Sequence, residues 1–559
     1  MRKLFLALLA VASSLSARQS IPCDLVLRNG VIYNGLGTPP VRGDVYIRGD
    51  SILAIGSWKN ITPSRELDLG GLAVAPGFIN MLSHSEESLI EDPRSLGELM
   101  QGVTLEVLGE SSMGPVNDTM KKEAEALQGD IKYPITWKTL GQYLDFLEQR
   151  GISTNVASFV GAGTVRQYVL GLGNRAPNPD ELEAMKGQVR QAMEEGAMGL
   201  TCALIYTPDV FMKTDELVAL AKVASSYGGM YTSHIRSEGN RLLQAADELI
   251  AIAKEAQIPA EFFHLKAAGK SNWPKLDALI AKVDSARASG LPITADMYTY
   301  TAAATGFDAA MPPWVQEGGY GQWAERLRNK AIRDSVKKEM TTPTDRWENL
   351  YLAAGAPENV LVVGFRNPAL KPQTGKTLAQ VAAMRGTSPE ETIMDLVVED
   401  SSRVSVVYFL MSEENVRKQI ALPWMSFCSD EASQAPEGNF LKSNPHPRAY
   451  GNFIRLLAKY VRDEHVVTLE EAVRRLTSLP ASNLKLRRRG NLLSGSFADI
   501  VVFDPAKVQD HATYDQPHQL ATGVVHVFVN GVQVISNGVH TGAKPGRIVR
   551  GPGWKPNSR

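Results

Sequence analysis

Cysteine is scarce: the 559 residues hold three, Cys23, Cys202 and Cys428, and no C-x-x-C pair. That excludes a disulfide framework and a thiolate zinc ribbon, so stability has to come from an apolar core. An excess of one charge is missing as well. Lys and Arg number 59 against 60 Asp and Glu, a formal net charge of −1, and no basic block occurs. Without clustered Lys and Arg there is no electrostatic footprint for nucleic acid or an anionic membrane surface. Long hydrophobic runs are absent too, because the one membrane-like stretch, Leu4 to Ala12, is too short to span a bilayer. No G-x-G-x-x-G follows the first barrel-type strand, no G-x-S-x-G elbow is present, and no internal repeat or low-complexity segment occurs. A dinucleotide fold and an α/β-hydrolase nucleophile are thereby disfavoured.

What is present begins with Arg2 and Lys3, the short apolar run, and small residues through Ala17. This is the order of a secretory signal peptide over 1–17, which implies a secreted or periplasmic protein; the alternative is an uncleaved N-terminal anchor. Short β-rich runs closed by Gly, Asn or Asp follow in 21–75 and return in 488–559. Neither set can bury a face alone, so the two termini are expected to complete one β-sandwich domain. Between them the texture changes to strands alternating with amphipathic helices. Eight strands are expected, at 78–82, 103–108, 155–160, 199–205, 230–233, 260–263, 292–297 and 424–428. This α/β pattern predicts a (β/α)8 barrel over 76–487, with the active site at the strands' C-terminal ends. The stretch 302–422 is too long for one connection and is expected to be an inserted lid or subdomain, with one helix over 322–338, another over 390–398, and β runs at 360–364 and 404–410.

Metal-binding side chains fall where these strands end. His84 follows the first, Glu110 the second, His234 the fifth, His264 the sixth and Asp430 the eighth, and three of the chain's nine His are in the set. Imidazole and carboxylate are zinc ligands, and three of them with one open position make a catalytic site. Each residue also has a plainer reading: a hydrogen-bonded structural His, a loop Glu paired to a cation, or for Asp430 a helix N-cap. Agreement across five strands favours the metal.

The blocks Ala75-Pro76-Gly77-Phe78-Ile79-Asn80, Ser233-His234-Ile235-Arg236-Ser237-Glu238-Gly239, Phe263-His264-Leu265-Lys266 and Cys428-Ser429-Asp430, in this order, resemble the amidohydrolase superfamily and, within it, the D-aminoacylases. Further matching blocks are Tyr206-Thr207-Pro208, Tyr298-Thr299-Tyr300 and His446-Pro447-Arg448. The resemblance implies a zinc-dependent deacylase of N-acyl-D-amino acids or related N-acyl amino acids. It makes His234 and His264 metal ligands and Asp430 the catalytic acid/base. It also points to Lys266 and Tyr206 as contacts for the substrate carboxylate, with Tyr298 and Arg448 as secondary candidates. Arg236 could serve the same end or salt-bridge Glu238.

Two departures stand out. The family's Asp-x-His-x-His after the first strand reads Asn80-Met81-Leu82-Ser83-His84, so Leu82 replaces the first His; the family's metal-binding Cys turn reads Gly109-Glu110-Ser111. With Glu110 as third ligand and only His84 left for a second metal, one zinc per chain is expected. The competing readings are a cyclic-amide or dipeptide hydrolase of the same superfamily, which the lack of a strand-four Lys disfavours, and a non-catalytic barrel that binds without turnover. A serine hydrolase using Ser111 or Ser112 is more remote.

Overall fold

The structure, a computed structural model, describes residues 20–556; the segment read as an export signal lies outside them. Among the described residues no helix is long and apolar enough to cross a membrane.

Eight parallel strands build the centre: β1 (Phe78–Ser83), β2 (Val103–Leu108), β3 (Asn155–Ser158), β4 (Gly199–Ala203), β5 (Met230–His234), β6 (Ala260–Phe262), β7 (Ile293–Met297) and β8 (Met425–Phe427). Apart from Thr294 their residues are buried, which is why they read as near-continuous apolar runs rather than alternating ones. β1, β2 and β3 pair in one sheet, and β4 to β8 pair in order in another. The short extension Val160–Gly161 pairs with β4 and joins the two sheets. The ring closes between β8 and β1, where the Asp430 amide donates to the Leu82 carbonyl at 3.0 Å and the His84 amide to the Glu431 carbonyl at 3.0 Å. Asn80 stitches the same seam: its Oδ1 accepts from the Ser429 amide at 2.9 Å and its Nδ2 donates to Ser429 Oγ at 2.7 Å.

Helices cover the strands because their starts are specified locally. Pro179–Glu194 opens with a full capping box, Asn178 with Glu181, and Pro at the first turn, where its missing N–H costs nothing. Leu217, Leu220, Ala221 and Ala224 of Thr214–Ser226 and Leu242, Ala246, Leu249 and Ala253 of Leu242–Ala256 recur at helical spacing and enter one large core. A separate apolar cluster includes Ile79, Met81, Leu82, Leu105, Val107, Phe159 and Phe263.

The two termini meet in one nine-stranded sheet. The expected sandwich takes the form of a fork: Ile21–Ile32 pairs with Val41–Arg48 on one side, and on the other with Ile61–Asp68 and then Ala73–Pro76, which leads to Ile500–Phe503 and the C-terminal hairpins. The chain then returns under the barrel, where the Val156 amide donates to the Arg547 carbonyl at 3.1 Å and the Val549 amide to the Val156 carbonyl at 2.8 Å.

The insertion has its own three-stranded sheet, Ala302–Gly306, Ser405–Phe409 and Val360–Gly364, and its own core. The single helix expected over 322–338 is two, Tyr320–Arg328 and Lys330–Thr341. Asn329 makes the break, because its side chain accepts from the Ala331 and Ile332 amides and caps the second helix.

Candidate active site and metal centre

The strands deliver the expected side chains to one cavity of about 650 Å³, lined by His84, Glu110, His234, His264, Lys266, Tyr298, Asp430 and Arg448 among others. His234 Nδ1 lies 3.2 Å from Glu110 Oε1, and His264 Nε2 lies 2.7 Å from the same oxygen. These three residues offer ligand atoms within 4.8 Å of one another, as do His84, Glu110 and Asp430. Glu110 is common to both groups, its Oε2 standing 3.8 Å from His84 Nε2.

Whether the first group suits a metal depends on what stands behind the imidazoles. Glu238 does so for both. Its Oε1 is 3.1 Å from His264 Nδ1 and its Oε2 is 3.7 Å from His234 Nε2, which has no hydrogen-bond partner among the described residues. A carboxylate accepting from Nδ1–H leaves the His264 Nε2 lone pair facing inward, the tautomer a metal requires. The donor set, two imidazole nitrogens and a carboxylate oxygen on a buried floor, therefore fits zinc. Sequence reasoning passed over Glu238 and offered it only as a partner for Arg236. Arg236 instead binds Glu248 at 2.8 Å, on the following helix. The signal was present in the four-residue spacing from His234.

Burial raises the Glu110 carboxyl, but hydrogen bonds from His234 and His264 outweigh it and hold it well below the carboxylate range. Burial and the Lys266 ammonium favour a neutral His264, yet with no cation bound Asp430, Glu238 and Glu110 carry its pKa up to about 10, so a metal at Nε2 would have to displace a proton. Burial opposes ionisation of Asp430, but Arg448 and His264 lower its pKa and the hydrogen bond with His84 adds to them, keeping it ionised. Arg448 Nη1 sits 2.7 Å from Asp430 Oδ2, and His84 Nε2 sits 3.1 Å from Oδ1. His264 (φ 33°) and Asp430 (φ 51°) both take left-handed backbone conformations, a cost that rigid surroundings sustain. For His264 the Asp296 carboxylate accepts its amide at 2.6 Å.

Lys266, Tyr298 and Arg448 come together. The Lys266 ammonium is 5.5 Å from the Tyr298 ring centre and the Arg448 guanidinium carbon is 4.4 Å from it. Lys266 is not a free cation: its Nζ donates to Glu238 Oε1 at 2.6 Å and lies 2.8 Å from His264 Nδ1. The ammonium hydrogens not used on Glu238 remain for a ligand. Tyr206 lines the same cavity from the other side, its ring 5.5 Å from that of His234, its hydroxyl 2.7 Å from Thr305 Oγ1 and the Arg403 guanidinium carbon 5.0 Å from its ring centre. Tyr300 is a core aromatic whose hydroxyl donates to the Pro447 carbonyl at 3.4 Å. Ser111 and Ser112 donate to carboxylates, Asp209 and Glu86, at 2.6 and 2.7 Å, and not to an imidazole, so neither stands in a Ser-His pair.

Glu238→Gln is expected to weaken metal binding about 10–100-fold while leaving the fold intact, since it removes the negative charge behind both rings and weakens the acceptor that orients His264. Competition against a chromogenic chelator measures this, and unchanged affinity would remove Glu238 from the metal site.

A closed eight-stranded barrel with nitrogen and carboxylate donors at its mouth defines a (β/α)8 metal-dependent hydrolase. The sequence profile of an amidohydrolase family matches residues 65–535, and the chain belongs to that family. It is similar to the N-acyl-D-glutamate deacylase of Alcaligenes xylosoxydans xylosoxydans, with 31% identity over 94% of this chain and 96% of the relative. The D-aminoacylase of the same organism is 30% identical over 96% of this chain and 99% of the relative. Among solved structures, the N-acyl-D-glutamate deacylase of Bordetella bronchiseptica, complexed with zinc and a phosphonate mimic of the tetrahedral intermediate, superimposes with TM-score 0.77 at 28% identity, covering 95% of this chain and 100% of that one. The resemblance to D-aminoacylases expected from the sequence holds, and the chain is an enzyme of the metal-dependent amidohydrolase class.

Proposed function

We propose that the enzyme hydrolyses the amide bond of N-acyl-D-amino acids, with one zinc ion held by His234, His264 and Glu110 and with Asp430 as general acid/base. The observation that carries this reading is the convergence of three ligand atoms beside a buried Asp430 paired with Arg448. Zinc in such a set supplies Lewis acidity at the scissile carbonyl and the attacking water. Arg448 occupies Asp430 Oδ2, leaving Oδ1, on the His84 and Glu110 side, as the atom that takes a proton from water and passes it to the departing nitrogen. Lys266, Tyr206, Tyr298 and Arg448, whose Nε has no hydrogen-bond partner among the described residues, line the cavity as the groups available to hold the substrate carboxylate. The D preference rests on the similar deacylases named above, and export, to a secreted or periplasmic location, rests on the N-terminal sequence alone. Protein sequencing of the mature N-terminus tests export. The function is tested by assaying paired D and L N-acetyl amino acids with and without chelator. Chelator-sensitive cleavage of the D series supports it, whereas preference for L substrates or for cyclic amides overturns it.

Lys266→Met is expected to raise KM for carboxylate-bearing substrates and spare a neutral amide, by loss of a charge-assisted hydrogen bond of about 1.5–3 kcal/mol. Metal content is measured alongside. If both substrates and the metal suffer together, Lys266 acts through Glu238 and His264 instead.

A further inference from the structure

A second cavity, of about 750 Å³, adjoins the catalytic one, and Ser112, Thr164 and Gln167 line both. Its size is that of a small-molecule site. Its walls are apolar and aromatic. Trp137 stacks on Tyr133 at 6.1 Å and meets Tyr143 edge-on at 5.0 Å, forming one side. The helix Asp118–Leu127 forms another, presenting Met120, Ala124 and Leu127 at i, i+4 and i+7. Only Met120 of that helix is buried, and Leu127 is 43% exposed, so the apolar stripe lacks a partner. Leu172 and Tyr320 also line the cavity.

The charges decide what enters. Glu86, Glu87 and Glu123 line this cavity, and no Lys or Arg is among the described residues that do. Glu86 and Glu87 already accept hydrogen bonds from Ser112 and from Tyr133, at 2.7 and 3.0 Å. A substrate carboxylate is repelled here and is drawn to Lys266 and Arg448, which follow β6 and β8. The apolar cavity is built from the loops after β1, β2 and β3 with part of the insertion. A linear N-acyl amino acid held by its carboxylate then has its acyl end available for the apolar side.

The geometry points to an acyl-chain site: the enzyme is built for N-acyl amino acids with an extended aliphatic acyl group, an inference that rests on the deacylase reading and narrows its substrate class. Hydrolysis forms a C–O bond from water to the acyl carbon and breaks the amide C–N bond. The proton passes to the nitrogen, and the products are a fatty carboxylate and a free amino acid.

The test uses the metal-loaded protein with N-acetyl-, N-butanoyl- and N-octanoyl-D-alanine, together with N-acetyl-D-leucine and N-acetyl-D-phenylalanine. Along the acyl series kcat/KM is expected to rise by about tenfold for each pair of methylenes the cavity buries. Ala124→Trp, an exposed helix position, should fill the cavity and collapse the octanoyl-to-acetyl ratio. If acetyl substrates are best and kcat/KM grows instead with the amino-acid side chain, the cavity holds that side chain; the acyl inference fails and the deacylase reading stands. If no N-acyl-D-amino acid of any length is cleaved, the deacylase reading falls and the inference with it.

Discussion

Asp430→Asn is expected to leave a folded, metal-loaded enzyme whose kcat is lower by about 10²–10⁴-fold. The amide keeps the size of the side chain and can still bond His84, but it cannot take a proton from water and return it to nitrogen. Arg448, its guanidinium 2.7 Å away, keeps Asp430 ionised despite burial and so able to accept a proton, while drawing its pKa below the usual carboxylate range and limiting its strength as a base. The same pairing makes a control necessary, because the variant leaves Arg448 without its counter-charge in a buried site. Thermal melting and metal content separate the possibilities. A variant that melts and binds metal like the parent but turns over slowly places the proton transfer at Asp430. Parental turnover by such a variant would remove Asp430 from the mechanism.

Much of this arrangement was legible in the sequence because barrel strands are short, buried on both faces and spaced by helices, so that eight apolar runs carried both the fold and the positions of their ends. His234, His264 and Asp430 could be placed from those ends alone. The helix break at Asn329 escaped because the apolar period continues across it and only the capping geometry interrupts it. Glu238 escaped because Arg236, two residues away, offered it a nearer partner, whereas the barrel carries Arg236 to Glu248 and frees Glu238 to stand behind the two imidazoles. The apolar cavity escaped for the same reason on a larger scale. Its walls come from segments as distant as Ile90, Trp137 and Tyr320, and adjacency of loops on a barrel rim leaves no mark in local pattern.

Alanine at His234 or His264 is expected to empty the metal site and abolish activity, whereas alanine at His84 should leave most of the metal bound. The difference follows from what each group of ligands stands on. His234 and His264 side chains are 6% and 3% exposed, with Glu238 behind both, while His84 is 33% exposed. The second group shares Glu110 with the first and needs Asp430, whose other oxygen already holds Arg448. A divalent cation there would sit against that guanidinium. The position that could have strengthened this group is Leu82, fully buried among Met81, Val107 and their neighbours, and leucine has no lone pair to give. Catalytic zinc sites generally take three protein ligands, so the first group alone can hold the ion tightly. Elemental analysis of protein purified without added metal is expected to find about one equivalent per chain. In His84→Ala the metal should remain while kcat falls, because Asp430 Oδ1 loses the hydrogen bond that fixes it. Two tightly held equivalents, or metal loss in His84→Ala as complete as in His234→Ala, would show that Glu110 and Asp430 hold a second ion in spite of Arg448.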